Sequence, residues 1–158
     1  MAATSAGILL YRLDGAGGVS VLVAHMGGPY WAAKDAGAWS IPKGEFAEDE
    51  SALEAALREF GEELGVDPPD VDYAELGTFA YASGKRVTVF VADGTGFTAS
   101  DFSFGTLELE WPPRSGRRQS FPEVDRVEWM PVAQARARVV AGQRPALDRL
   151  EELLREAG

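Results

Sequence analysis

An α+β fold is predicted by three features of the chain. Apolar runs of strand length occupy both halves, one strongly amphipathic helix separates them, and two helical segments close the sequence. Strands precede and follow the central helix, so a sheet with helices packed on it is the expected arrangement.

Taken in order, Ser5 to Arg12 and Val19 to His25 read as two strands, joined by the turn-forming LDGAGG segment as a hairpin. Met26 to Gly37 is a glycine-rich loop carrying Tyr30 and Trp31, and the apolar AWSIP piece after it reads as a brief strand. EDESALEAALREFGEELG predicts a helix over Glu50 to Leu64, with acidic residues at its start and Gly65 placed to end it. Ala74 to Ala82 and Arg86 to Ala92 form a second hairpin across Ser83-Gly84. Thr106 to Trp111 alternates as a strand, PPRSGRRQSFPEVD reads as a loop, and Arg126 to Met130 is a short strand. Helices are expected at Val132 to Ala141 and Pro145 to Glu156, the latter with Leu147, Leu150, Leu153 and Leu154 on one side.

With 158 residues, the chain suffices for one core, and a single domain over residues 1–158 is expected. No apolar stretch reaches the roughly 18 to 20 residues of a spanning helix, and no basic, apolar leader opens the chain, so a cytoplasmic protein without a membrane partner is expected. The chain has no cysteine, which excludes disulfides, thiolate nucleophiles and sulfur-bound zinc. A formal charge of -10 argues against an extended nucleic-acid partner. The single histidine, His25, excludes a multi-histidine metal site and fits a hydrogen-bonded strand end. Carboxylates must therefore carry most of the chemistry.

On the central helix, Leu53, Leu57, Phe60 and Leu64 form a stripe expected to face the core. Glu59, Glu62 and Glu63 fall together elsewhere, within an arc of about 100°, and Ala52 and Ala56 beside them would let another segment approach closely. Like charges at this spacing cost about 0.2 to 0.5 kcal/mol per pair. Two of the acids also occupy the last turn, where the helix dipole favours cations. A hard divalent cation with oxygen ligands removes the conflict. A solvated acidic face is the bland alternative.

The residues around this cluster weigh against the bland reading. Gly44 precedes Glu50 by six positions, Glu50 precedes Arg58 by eight, and the chain continues as REFGEELGV. The stretch from Gly44 to Val66 thereby resembles the Nudix box, Gx5Ex7REUxEExGU, with every fixed Gly, Glu and Arg in place; only Phe60 departs from the usual aliphatic U. The resemblance implies the Nudix fold, an α/β/α sandwich around a mixed β-sheet. It also implies hydrolysis of a phosphoanhydride bond in a nucleoside-diphosphate derivative.

By that resemblance Glu59, Glu62, Glu63 and the backbone carbonyl of Gly44 would ligate Mg²⁺ or Mn²⁺, and a carboxylate would take the proton of the attacking water. Glu62 is the first candidate for that base. Glu123, in the later loop, is the second, and an ordinary surface acid is its other reading. Arg58 and Glu50 would form a salt bridge that holds the helix to its preceding loop, whereas helix geometry alone pairs Arg58 with Glu54. Lys43 stands ready for a phosphate or for solvent. Tyr81 falls where family members acting on dinucleoside polyphosphates tend to carry a tyrosine, although strand packing explains it as well. Lys85 and Arg86 either steer phosphates or keep an edge soluble, and Tyr30, Trp31 and Phe121 either stack on a base or pin their loops. The expected partner is a small-molecule nucleotide: a dinucleoside polyphosphate or nucleoside triphosphate ahead of ADP-ribose and nucleotide sugars. The family habit also allows a homodimer. A catalytically silent nucleotide sensor and a plain acidic interaction domain are the competing classes.

Overall fold

A computed structural model describes residues 4–46, 48–98 and 102–157. Its centre is a seven-stranded mixed sheet. Strand β1 (Thr4–Leu13) runs through the middle, parallel to β6 (Arg86–Asp93) and antiparallel to β2 (Val19–Met26). β3 (Trp39–Ser40) and β9 (Val124–Pro131) both pair with β2, β4 (Lys43–Glu45) pairs with the start of β1, and β5 (Ala74–Ala80) flanks β6. Apart from the β1–β6 pair, these ladders are antiparallel.

Residues in the central strands point alternately to two apolar layers, as the twofold period of a strand requires. Ile8 and Leu10 of β1, with Leu22 and Phe90, pack beneath helix α1 (Ala52–Leu64) through its Ala55, Ala56, Phe60 and Leu64. Leu9, Val21, Val23, Val87, Val89 and Val91 pack on the other face, under α2 (Val132–Arg138) and α3 (Arg144–Ala157), which supply Ala135, Leu147 and Leu150. Helices thus cover both faces of a mixed sheet, the α/β/α sandwich. Among the described residues no helix is long and apolar enough to cross a membrane.

Helix α1 begins at Ala52, not Glu50. Ser51 caps it by accepting the Glu54 N–H at 3.1 Å, which leaves Glu50 in the preceding loop. Its buried line is also rotated from the expected leucine stripe: Ala55 and Ala56 are fully covered, while Leu53 and Leu57 are half-buried. Small side chains let the helix sit close to β1, and the leucines fall to the rim. Gly65 ends the helix in the left-handed region, at φ 74°, with its N–H bonded to the Gly61 carbonyl. A side chain there would strike the Ser103 carbonyl, so only glycine suits both the backbone and the space.

Several stretches differ from their sequence reading. The AWSIP strand ends at Ser40, and a separate strand, β4, follows Pro42; its Lys-Gly-Glu sequence has no apolar pattern because backbone pairing alone recruits it. Arg118–Pro122, read as loop, is strand β8, paired with β7 (Thr106–Glu110) in a separate two-stranded sheet. Four of its five residues are exposed, so no periodicity marked it. Phe121 therefore lies on a strand and not on a loop. β9 starts two residues earlier than expected, and β5 stops at Ala80. α2 ends at Arg138 because Val139 bridges to Trp39 and Val140 donates to the Trp39 carbonyl at 2.9 Å.

Candidate functional site

The β4 strand and the last turns of α1 approach each other most closely at Gly44. A Cβ built on Gly44 would lie 2.1 Å from the Glu59 carboxylate, so the missing side chain makes room for that group. One turn on, Glu63 points at the same strand, where its Oε2 accepts the Lys43 N–H at 3.4 Å. Glu123 enters from the loop between β8 and β9. Its N–H donates to the Gly105 carbonyl at 2.7 Å, and Gly105 in turn donates to the Glu63 carbonyl at 3.3 Å. That backbone chain ties Glu123 to the end of α1, although 60 positions separate Glu123 from Glu63.

Crowding of these carboxylates has an electrostatic signature. Burial pushes the Glu63 carboxyl up to about 7 from an ordinary 4.5, against the pull of Lys43 and with Glu123 and Glu59 adding repulsion. Glu59 is also raised, first by burial and then by Glu62 and Glu123, while Arg58 opposes the shift. The folded Glu63 carboxyl therefore keeps a proton across the window from 4.5 to about 7 that the unfolded chain releases. Stability of the metal-free chain tied to this group is present below that window and falls as pH rises through it. Melts in EDTA should accordingly show Glu63→Gln gaining on the parent protein between about pH 5 and about pH 7.5. An unchanged gap would remove Glu63 from the cluster.

Arg58 supplies the main counter-charge. Its guanidinium grips Glu50 with two prongs, Nε donating to Oε2 at 3.1 Å and Nη2 to Oε1, and donates through Nη2 to the Glu45 carbonyl. Nη1 reaches Glu59 at 2.9 Å and Glu62 at 3.1 Å. Glu54 is occupied with Ser51 instead. Among the described residues no three acidic groups converge on a single cation position: Arg58 Nη1 engages both Glu59 and Glu62, while Glu63 bonds the Lys43 N–H of β4. The donor set nevertheless suits a hard divalent ion: carboxylate and carbonyl oxygens, a cradle at Gly44 that a Cβ would fill, and mutual repulsion that a cation relieves. Ala47, inside the motif, lies outside the described residues.

Four of the other expected residues gather in one cleft. Lys43, Tyr81, Lys85 and Arg86 line a cavity of about 120 Å³ with Ser5, Gly44, Glu45 and Val87. Strand alternation turns Lys43 and Glu45 away from the face of Gly44 that meets Glu59, so β4 separates the acidic cluster from this cationic cleft. Tyr81 is held from behind by Gln143, whose Nε2 donates to the Tyr81 hydroxyl and to Ser40 Oγ, both at 2.9 Å, while its Oε1 accepts the Ile41 N–H at 3.0 Å. The Tyr81 ring also fills the space a Gly142 side chain would need. Gln143 is buried and was not among the residues the sequence pointed to; a lone glutamine between two helices carries no pattern. His25 is fully buried, with Nδ1 on Asp125 at 2.8 Å and Nε2 on the Lys34 carbonyl at 2.6 Å, a structural anchor whose hydrogen bonds go to none of Glu59, Glu62, Glu63 and Glu123.

Comparison with known proteins bears on the whole arrangement. The family model for the NUDIX domain matches residues 1–150. The nucleoside triphosphate pyrophosphatase/Nudix hydrolase fusion protein of Bifidobacterium longum is 34% identical over 113 residues, covering 69% of this chain and 23% of that protein. The chain thus spans less than a quarter of the length of this curated relative. Among solved structures, a C. elegans Ap4A hydrolase binary complex is similar at TM-score 0.68 and 20% identity, covering 98% of each chain. The NUDIX domain of Shewanella oneidensis NrtR complexed with ADP ribose gives TM-score 0.64 and 18% identity, over 98% of this chain and 89% of that one. At these identities the two structures speak for the fold.

Proposed function

The chain belongs to the Nudix hydrolase family, and on that premise we propose that it hydrolyses a phosphoanhydride bond in a nucleoside-diphosphate derivative, foremost a dinucleoside polyphosphate or a nucleoside triphosphate. The observation that carries this reading is the juxtaposition across Gly44: carboxylates that repel one another on one side, and a cleft with Lys43, Lys85 and Arg86 on the other. A polyphosphate has the charge to lie in the second while its reacting phosphorus faces the first.

Glu59, Glu62, Glu63 and the Gly44 carbonyl would hold Mg²⁺ or Mn²⁺, which when bound supplies neutralisation of phosphate charge and a water of lowered pKa. Glu62 is 59% exposed against 19% for Glu59, so it is more open to an incoming water than Glu59 and is the leading base. Glu123, tied through Gly105 to the end of α1, is the second candidate. Arg58 and Glu50 position the helix against the loop, and Arg58 offsets the charge of Glu59 and Glu62 by bonding both through Nη1. Lys43, Lys85 and Arg86 bind the outer phosphates, and Tyr81, fixed by Gln143, lines the same cleft.

A panel of dinucleoside polyphosphates, nucleoside triphosphates, ADP-ribose and nucleotide sugars tests the reading. Product release with Mg²⁺, and none with EDTA, is the expected result, highest on the first two classes. Preference for ADP-ribose or nucleotide sugars would replace the substrate assignment. Nucleotide binding that raises the melting temperature without any product would mark a silent sensor instead.

A further inference from the structure

A second cleft meets the carboxylates at Glu123 and shares no lining residue with the cationic one. Its volume is about 250 Å³, and its walls are Gly28, Tyr30 and Trp31 on one side and Leu107 and Leu109 of β7 on the other. Among the described residues that line it, Glu123 is the only charged one. Along β7, exposed Thr106, Glu108 and Glu110 alternate with half-buried Leu107 and Leu109, which present an apolar strip to this opening.

The walls are fixed before any ligand arrives. Gly27 donates its N–H to the Glu123 carbonyl at 2.9 Å, and a Cβ on Gly27 would lie 2.3 Å from the Pro122 carbonyl, so the glycine turn is pressed against the end of β8. Tyr30 meets Trp111 edge-on, with ring centroids 5.3 Å apart, which ties the loop to the β7–β8 hairpin. Tyr30 is nonetheless 53% exposed. A preformed slot with aromatic and leucine walls and a single acid at its edge suits a flat, largely apolar group and repels a phosphate by way of Glu123.

We propose that this cleft takes the nucleobase of the substrate, with Tyr30 as a specificity-determining residue that stacks on it. The proposal rests on the hydrolase reading for the identity of its ligand: a nucleotide whose phosphates reach the carboxylates places its base alongside them, and this slot adjoins them at Glu123. The outer phosphates then occupy the cleft beyond Gly44.

The four nucleoside 5′-monophosphates and ribose 5-phosphate, each with Mg²⁺, are the probes, read by tryptophan fluorescence and by calorimetry on the parent, Tyr30→Ala and Leu109→Glu. At least one monophosphate should bind the parent about ten-fold tighter than ribose 5-phosphate, the increment expected of one stacked base. Both substitutions should erase that increment and leave ribose 5-phosphate binding unchanged. Since Tyr30 is largely exposed, Tyr30→Ala should melt with the parent. Equal binding of ribose 5-phosphate and every monophosphate by the parent, or an increment that survives in Tyr30→Ala, overturns the proposal. Failure of the hydrolase reading looks different: the base-dependent increment persists, but no nucleotide in the panel yields product.

Discussion

Replacing Glu62 by glutamine is expected to lower turnover by about 10²- to 10⁴-fold, the usual contribution of a positioned acid or base, while the fold is retained. The side chain is 59% exposed and accepts a hydrogen bond from Arg58 Nη1 at 3.1 Å. Glutamine keeps the length and an acceptor oxygen for Arg58, whose stronger grip on Glu50 is untouched. What is lost is the capacity to take a proton and one negative charge toward a divalent ion. Rates with saturating Mg²⁺, measured beside circular dichroism and melting curves, separate the two effects. Full activity in Glu62→Gln would transfer the base to Glu123, and Glu123→Gln would then show the large loss.

Gly44→Ala should reduce Mn²⁺ or Mg²⁺ affinity about 10- to 100-fold, comparable to the loss of an outer-shell partner, and reduce turnover with it. The methyl group would overlap the Glu59 carboxylate, but that carboxylate ends a flexible side chain and can swing aside. Gly44 does not have a positive φ, so alanine suits its backbone. Melting temperature should therefore change little while the carboxylate leaves its cradle. Calorimetric Mn²⁺ titration decides the matter: parental affinity in the variant would mean that the ion, if bound, lies away from this strand. A large drop in melting temperature would instead make Gly44 a packing residue of β4.

How legible the molecule was depends on the kind of signal each part leaves. Helix α1, its stop at Gly65 and the Glu50–Arg58–Glu59–Glu62–Glu63 spacing are local in sequence, so periodicity and motif exposed them. The two hairpins, β1–β2 and β5–β6, were legible for the same reason: apolar strands joined by turn residues. β4 and β8 were not, because each is recruited by backbone pairing and has too few buried side chains to imprint a pattern. Gln143 acts through Tyr81 and Ser40, partners 62 and 103 positions away, and no local rule predicts such a contact.

The amino-acid sequence alone determined the fold class, the acidic helix and the family, because these rest on spacings within a few turns of chain. Only the tertiary structure decided that Gly44 faces Glu59, that Lys43, Tyr81, Lys85 and Arg86 share one cleft, and that Glu123 joins the carboxylates at the mouth of another. The physical reason is distance along the chain: burial and repulsion act between side chains that the sheet brings together, whatever number of residues lies between them.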